Sequence, residues 1–171
     1  MSIYYQVPGL KTVIAQPNTM ACWATVFTMM RSWNEQTSYG IESAVEKVAH
    51  KYGDIYRNNT GLPSNEFGPF LDAAGMSYEP MSNPTIDGWQ QRLKDYGLLW
   101  VGTMAAMTPN SGLHSRIIER IHGDETPNGT WFGIIDPASG KQYEESIAIF
   151  NAKYESAFKS QSGTYYQIRH F

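Results

Sequence analysis

Residues Ile14 to Met30 read IAQPNTMACWATVFTMM and include Cys22, the only cysteine among 171 residues. The part before Cys22 is irregular and contains Pro17, whereas Trp23, Val26, Phe27, Met30 and Trp33 recur at i, i+3 and i+4. That spacing predicts a helix over 20–33, one face in the core, with Cys22 in its first turn. A thiol at that position is biased toward thiolate, because the unpaired N–H groups and the positive dipole end favour negative charge; a nearby imidazolium strengthens the bias. Gln16 lies upstream, where its amide can join the Cys22 backbone N–H as a second donor, and two such donors make an oxyanion hole. A lone cysteine is most often a small buried hydrophobe, so thiol chemistry requires a base and a group that orients the base.

The second half of the chain offers both. Leu113 to Ile121 alternates as a strand that follows the Pro- and Gly-containing segment 108–112, with His114, Arg116, Ile118, Arg120 and His122 directed to one side. Asp124 to Gly129 reads as a hairpin loop and Trp131 to Ile135 as the returning strand, which brings Asp136 back toward His114. A strand histidine is more often structural than catalytic, but a strand start after a loop suits a cleft rim. His122 stands too far along the strand to share a thiol with His114, and His50 reads as a solvated residue near a helix end. Asp124 is the alternative to Asp136 as orienter, whose bland reading is a strand-ending turn residue before Pro137.

Gln16-Pro17-Asn18-Thr19-Met20-Ala21-Cys22-Trp23-Ala24 resembles the Gln-x(5)-Cys-Trp-Ala block of papain-like cysteine peptidases. The similarity is closest to a compact bacterial branch that includes type III effector proteases and papain-like toxin domains. Leu113 to Ile118, Gly123-Asp124, Gly129-Thr130 and Ile134-Ile135-Asp136-Pro137 resemble that branch's histidine strand, turn and Asp-Pro strand end. Ser115-Arg116 stands where that strand usually carries an apolar pair. The resemblance runs from about Tyr5 to Tyr154 and implies a nucleophile at Cys22, a base at His114, an orienter at Asp136 and an oxyanion donor at Gln16. It implies an α+β fold, helices carrying the cysteine first and an antiparallel sheet carrying His and Asp second.

The length suits one domain over 1–171, able to bury a sizeable core without metals or disulfides. A net charge of -3 with scattered Lys and Arg argues against a nucleic-acid partner. No apolar run is long enough for a membrane span, and Met1 to Gln6 lacks the basic-then-apolar pattern of an export signal. No Cys or His pair has metal-ligand spacing, and no cofactor is implied.

Elsewhere the sequence predicts an extended N-terminal segment over 1–17 anchored by Tyr4, Val7 and Val13, and helices over 41–52, from Ser64 to Ala74, and over 86–96. Thr85 reads as an N-cap, with Trp89, Leu93 and Tyr96 facing inward. Segment 77–84 reads as a connector, 99–104 as a strand, 142–157 as a helix and 164–169 as a last strand at a sheet edge. Asn18, Met20, Gly112 and Leu113 are candidates to line a substrate cleft. The branch and the absent export signal lead to the expectation of a cysteine endopeptidase, secreted or injected by a specialised route. It would cleave proteins in a recipient cell's cytoplasm and be held in check by a cognate inhibitor protein. A peptidoglycan amidase, a deamidase or transpeptidase, and an inactive binding module on the same scaffold are the alternatives, since thiol acyl chemistry does not declare its leaving group.

Overall fold

The computed structural model describes residues 2–108, 111–161 and 165–171. Strand β1 (Ile3–Gln6) precedes helices α1 (Cys22–Glu35), α2 (Ile41–Glu46), α3 (His50–Asn58) and α4 (Ser64–Ala74). A short strand β2 (Ser77–Tyr78) and helix α5 (Ile86–Tyr96) lead into strands β3 (Leu99–Met104), β4 (Leu113–Gly123), β5 (Thr130–Asp136) and β6 (Lys141–Ser146). Helix α6 (Ile147–Ser160) and strand β7 (Ile168–His170) complete the order. The fold is α+β, helices first and sheet second, as the sequence predicts. All strand pairs are antiparallel, in the order β2-β7-β3-β4-β5-β6, with β1 also on β4.

Helix α1 is the axis of the molecule. Every residue from Trp23 to Met30 is buried, so the helix is enclosed all round rather than along one stripe. Its polar side chains are reconciled with burial by bonding backward: Thr25 Oγ1 donates to the Ala21 carbonyl at 2.8 Å and Thr28 Oγ1 to that of Ala24 at 2.7 Å. Phe70 of α4 receives Trp23, Phe27 and Tyr52 edge-on at 4.8 to 5.4 Å between centroids, which locks α1 to the helices over it.

Strand β4 carries the sheet. β3 pairs with its first half, Met104 opposite Leu113 through Leu99 opposite Ile118, and β1 continues along the same edge from Gln6 opposite Arg120 to Ile3 opposite Gly123. Pairing with β5 shifts register between Ile118 and Arg120, a bulge at Glu119. Residues opposite one another share a face, and Ile118 opposes Ile134 while Ile121 opposes Phe132. The alternation is therefore rephased: His114, Arg116 and Ile118 lie on one face, but Arg120 and His122 lie on the other, contrary to the strict period read from the sequence. Asp136, Ile134 and Phe132 of β5, and Tyr143 and Glu145 of β6, fall on the His114 face.

Other differences have local causes. The helix expected over 41–52 breaks at 47–49, where Ala49 is extended, and α3 runs on past residue 52 with Gly53 inside it. A Cβ on Gly53 would fall 1.7 Å from Glu46 Oε2, so the glycine serves the close crossing of α2 and α3. The first part of the helix expected over 142–157 is β6; α6 begins only after Ser146, whose Oγ accepts from the Ile149 N–H at 3.3 Å. Thr85 caps α5 by accepting from the Gly88 N–H at 3.0 Å, as expected. Segment 77–84 holds β2, which makes β7 an interior strand; the expected start of that strand at Thr164 lies outside the described residues. Val7 is buried, but Tyr4 and Val13 are exposed, and Tyr96 lies at the surface stacked on His170 at 3.7 Å. Among the described residues no helix is long and apolar enough to cross a membrane.

Candidate active site

Cys22 is the first residue of α1, and its N–H therefore has no acceptor within the helix. The first turn contains no acidic residue, so no carboxylate competes for the positive helix end. Burial pushes the thiol pKa up, but the hydrogen bond and charge of His114 outweigh it, and the Ser115 N–H and hydroxyl add to them; the net direction is down. Ser115, which the sequence marks only as a departure from an apolar pattern, thus faces the sulfur.

His114 opens β4, opposite Thr103 of β3. One ring nitrogen, Nε2, stands 2.6 Å from Asp136 Oδ1, which leaves Nδ1 as the nitrogen for the sulfur. Burial pushes the imidazole down, yet the hydrogen bonds and charges of Asp136 and Cys22 raise it to about 9. Asp136 is lowered overall: burial opposes its charge, but bonds from His114, Tyr143 and the Ala138 N–H prevail. The arrangement is that of a thiolate–imidazolium pair backed by a carboxylate.

The carboxylate is itself held from behind. Tyr143 Oη donates to Asp136 Oδ2 at 2.7 Å, and Arg116 Nη1 donates to Tyr143 Oη at 3.1 Å and to Glu145 Oε2 at 2.9 Å. Arg116 Nη2 reaches Thr103 Oγ1 at 3.1 Å, and Lys153 pairs with Glu145. All of these strand residues lie on the His114 face. Tyr143 and Glu145 escape a reading of the sequence that places them on a helix; a two-residue alternation through 141–146 is the signal that reveals them.

Gln16 is tied to the same region by its backbone, whose N–H donates to the Pro137 carbonyl at 2.8 Å. Gly140, at φ +60, allows this approach, since a Cβ there would meet the Ala15 backbone nitrogen at 3.0 Å. The Gln16 side chain differs from the expectation: Nε2 donates to the Asn18 carbonyl at 2.9 Å and the Thr19 carbonyl at 3.3 Å, while Oε1 is buried without a partner. As placed, its amide hydrogens face its own loop.

A cavity of about 850 Å³ opens beside Cys22 and His114. Met20, Gly112 and Leu113 line it as expected, and Asn18 is absent from its wall. The other titratable candidates serve elsewhere. Asp124 Oδ1 accepts from the Thr126 N–H at 2.9 Å in the hairpin, His122 pairs with Glu144 at 2.7 Å, and His50 bonds Glu46 at the surface. Among the described residues no group of three or more His, Cys, Asp or Glu is arranged to hold a metal.

No curated protein sequence matches the chain. Thirteen solved chains resemble it. One is the crystal structure of UfSP from C. elegans, with a TM-score of 0.57 at 12% identity, covering 85% of this chain and 31% of that one. The present chain thus spans about a third of that protein's length, and the likeness is one of fold. The family described as papain-like cysteine protease AvrRpt2 matches residues 1–155. With a thiol at a helix start, a histidine at a strand start and that match, the chain belongs to the AvrRpt2 family of papain-like cysteine proteases.

Proposed function

We propose that residues 1–171 form one endopeptidase domain that cleaves peptide bonds through Cys22, His114 and Asp136. The observation that carries this reading is the position of His114, bonded through Nε2 to Asp136 and facing Cys22 with its remaining nitrogen. The Cys22 thiolate attacks the scissile carbonyl carbon, and the C=O electron pair moves to oxygen. The Cys22 N–H and the Gln16 amide donate to that oxyanion, Gln16 giving up its longer bond to Thr19 to do so. As the C–N bond breaks, the His114 imidazolium transfers its Nδ1 proton to the leaving amine and a thioester remains. Neutral His114 then takes a proton from water, the hydroxide adds to the thioester, and the thiolate departs with release of the acid. Asp136 keeps the tautomer and the ring plane throughout.

We further propose that the enzyme is an effector acting on proteins in the cytoplasm of another cell, reached by a specialised secretion route, and that a cognate inhibitor protein occludes the cleft in the producer. The support is the match to the AvrRpt2 family. A survey of protein N-termini in cells briefly producing the chain, with Cys22→Ala as control, tests the peptidase. New N-termini that depend on Cys22 support it; harm to cells through Cys22 without new N-termini transfers the reading to an amidase or deamidase. Equal growth of cells producing the intact and Cys22→Ala chains without an inhibitor ends the toxin reading.

A further inference from the structure

Two arginines are enclosed by the sheet, each 2% exposed, and they are treated differently. Arg116 has Glu145 as a counter-charge, with Tyr143 and Thr103 as further acceptors. Arg169, on β7 opposite Trp100, has no carboxylate in pairing distance among the described residues. Its Nε donates to the Tyr166 carbonyl at 2.9 Å, and the Tyr165 hydroxyl accepts from the guanidinium. Its Nη1 is buried and makes no hydrogen bond. The rings of Phe67 and Trp100 lie 4.6 and 4.8 Å from its Cζ. Aromatic faces recover part of the lost hydration of a cation, but an enclosed charge without a counter-charge remains costly. In agreement, burial lowers the guanidinium pKa, while the Tyr165 hydroxyl and the Cys22 charge act in the opposite direction.

The place of this cation is informative. Arg169 forms part of the wall of the cavity that Cys22 and His114 open onto, beside Phe67, Leu71, Tyr165 and Tyr166. It is close enough to Cys22 for the two charges to interact. An extended peptide advances about 3.3 Å per residue, so side chains adjacent to the scissile bond fall within the same cavity. The flanking rings hold the guanidinium plane fixed, which suits a planar carboxylate.

We propose that Arg169 makes this cavity a subsite for a carboxylate of the substrate, the Asp or Glu side chain or the terminal carboxyl of a residue next to the scissile bond. The proposal rests on the peptidase reading and names its substrate class. The incoming carboxylate accepts from Nη1, and the Tyr165 hydroxyl moves aside to admit it. The bound state then supplies the counter-charge that the protein omits, as Glu145 does for Arg116.

The test uses the Cys22→Ala chain, calorimetry, and short blocked peptides carrying Glu or Gln, and Asp or Asn, at each position in turn. The acids bind at least about tenfold more tightly than their amides at one position, the size of a charged hydrogen bond. The preference vanishes when Arg169→Met is added and partly survives Arg169→Lys. Peptides with free rather than amidated C-termini separate a terminal carboxyl from a side chain as the source. Acids and amides that bind within about twofold everywhere, with Arg169 intact, overturn the proposal without any need for a variant to fold. Cleavage of the same peptides by the unmodified chain decides the other reading separately. Cys22-dependent cleavage without acid preference keeps the peptidase and removes the carboxylate subsite; Arg169-dependent binding without cleavage does the reverse.

Discussion

His114 and Gln16, the base and the oxyanion donor of the proposed mechanism, are held in opposite ways. The imidazole is fixed by Asp136, which is fixed by Tyr143 and the Ala138 N–H, and Tyr143 leans on a buried arginine with its own glutamate. The Gln16 amide is secured only by its own loop, with one buried oxygen unpaired. In the proposed mechanism the base is thus held in advance, whereas Gln16 has to turn as the substrate arrives if it is to donate to the oxyanion. A buried polar atom without a partner is costly, so the amide has less to lose by turning than His114 would.

This contrast can be broken by substitution. His114→Ala removes the base that every later bond positions, and kcat/KM falls roughly 10⁴-fold; stopped assays with a cleavable peptide would measure it. Asp136→Asn comes next, at roughly 10²-fold or more, and has a diagnostic pH signature. His114 titrates at about 9, held up by Asp136 and Cys22, so the alkaline limb of kcat/KM lies near pH 9. With the carboxylate charge gone that limb moves to lower pH; a limb that stays in place would mean Asp136 does not set the imidazole. The acid limb lies below the ordinary thiol range, because Cys22 is lowered.

Gln16→Ala sharpens the comparison from the other side. If the amide turns to the oxyanion, kcat falls by about 10² with KM unchanged. If it only braces the loop, KM and thermal stability change while kcat holds. The smallest effect is expected for Tyr143→Phe, which leaves the ring and removes one bond to the Asp136 carboxylate: a loss of about three- to tenfold in kcat. That substitution also raises the Asp136 pKa, so activity declines at a higher pH on the acid side, a shift that simple loss of packing would not produce.

The helix that opens at Cys22 was legible because its signals are local: an irregular segment, a helical period, a cysteine at the junction. Thr85 marked a helix start for the same reason. What the sequence concealed depends on distant contacts. The bulge at Glu119 exists only relative to β5, and it moves Arg120 and His122 off the face shared by His114 and Arg116. β6 is rich in Lys, Gln and Glu, poor strand formers that pairing with β5 overrides, so Tyr143 and Glu145 were hidden along with it. Gln16 was legible as a position beside the site through the spacing to Cys22, but the direction of its amide depends on carbonyls of a loop without period.

The order of residues along the chain also sets when chemistry becomes possible during synthesis. Domains form as the chain emerges from its N-terminus, and pairing between remote strands is slow. The thiol is made early, on α1, whereas the strand bearing its base finds β1 only after α1 to α5 and β3 have been produced. Asp136, Tyr143 and the β7 arginine follow later still. On the proposed mechanism a partly synthesised chain therefore carries its thiol without its proton acceptor until the sheet closes.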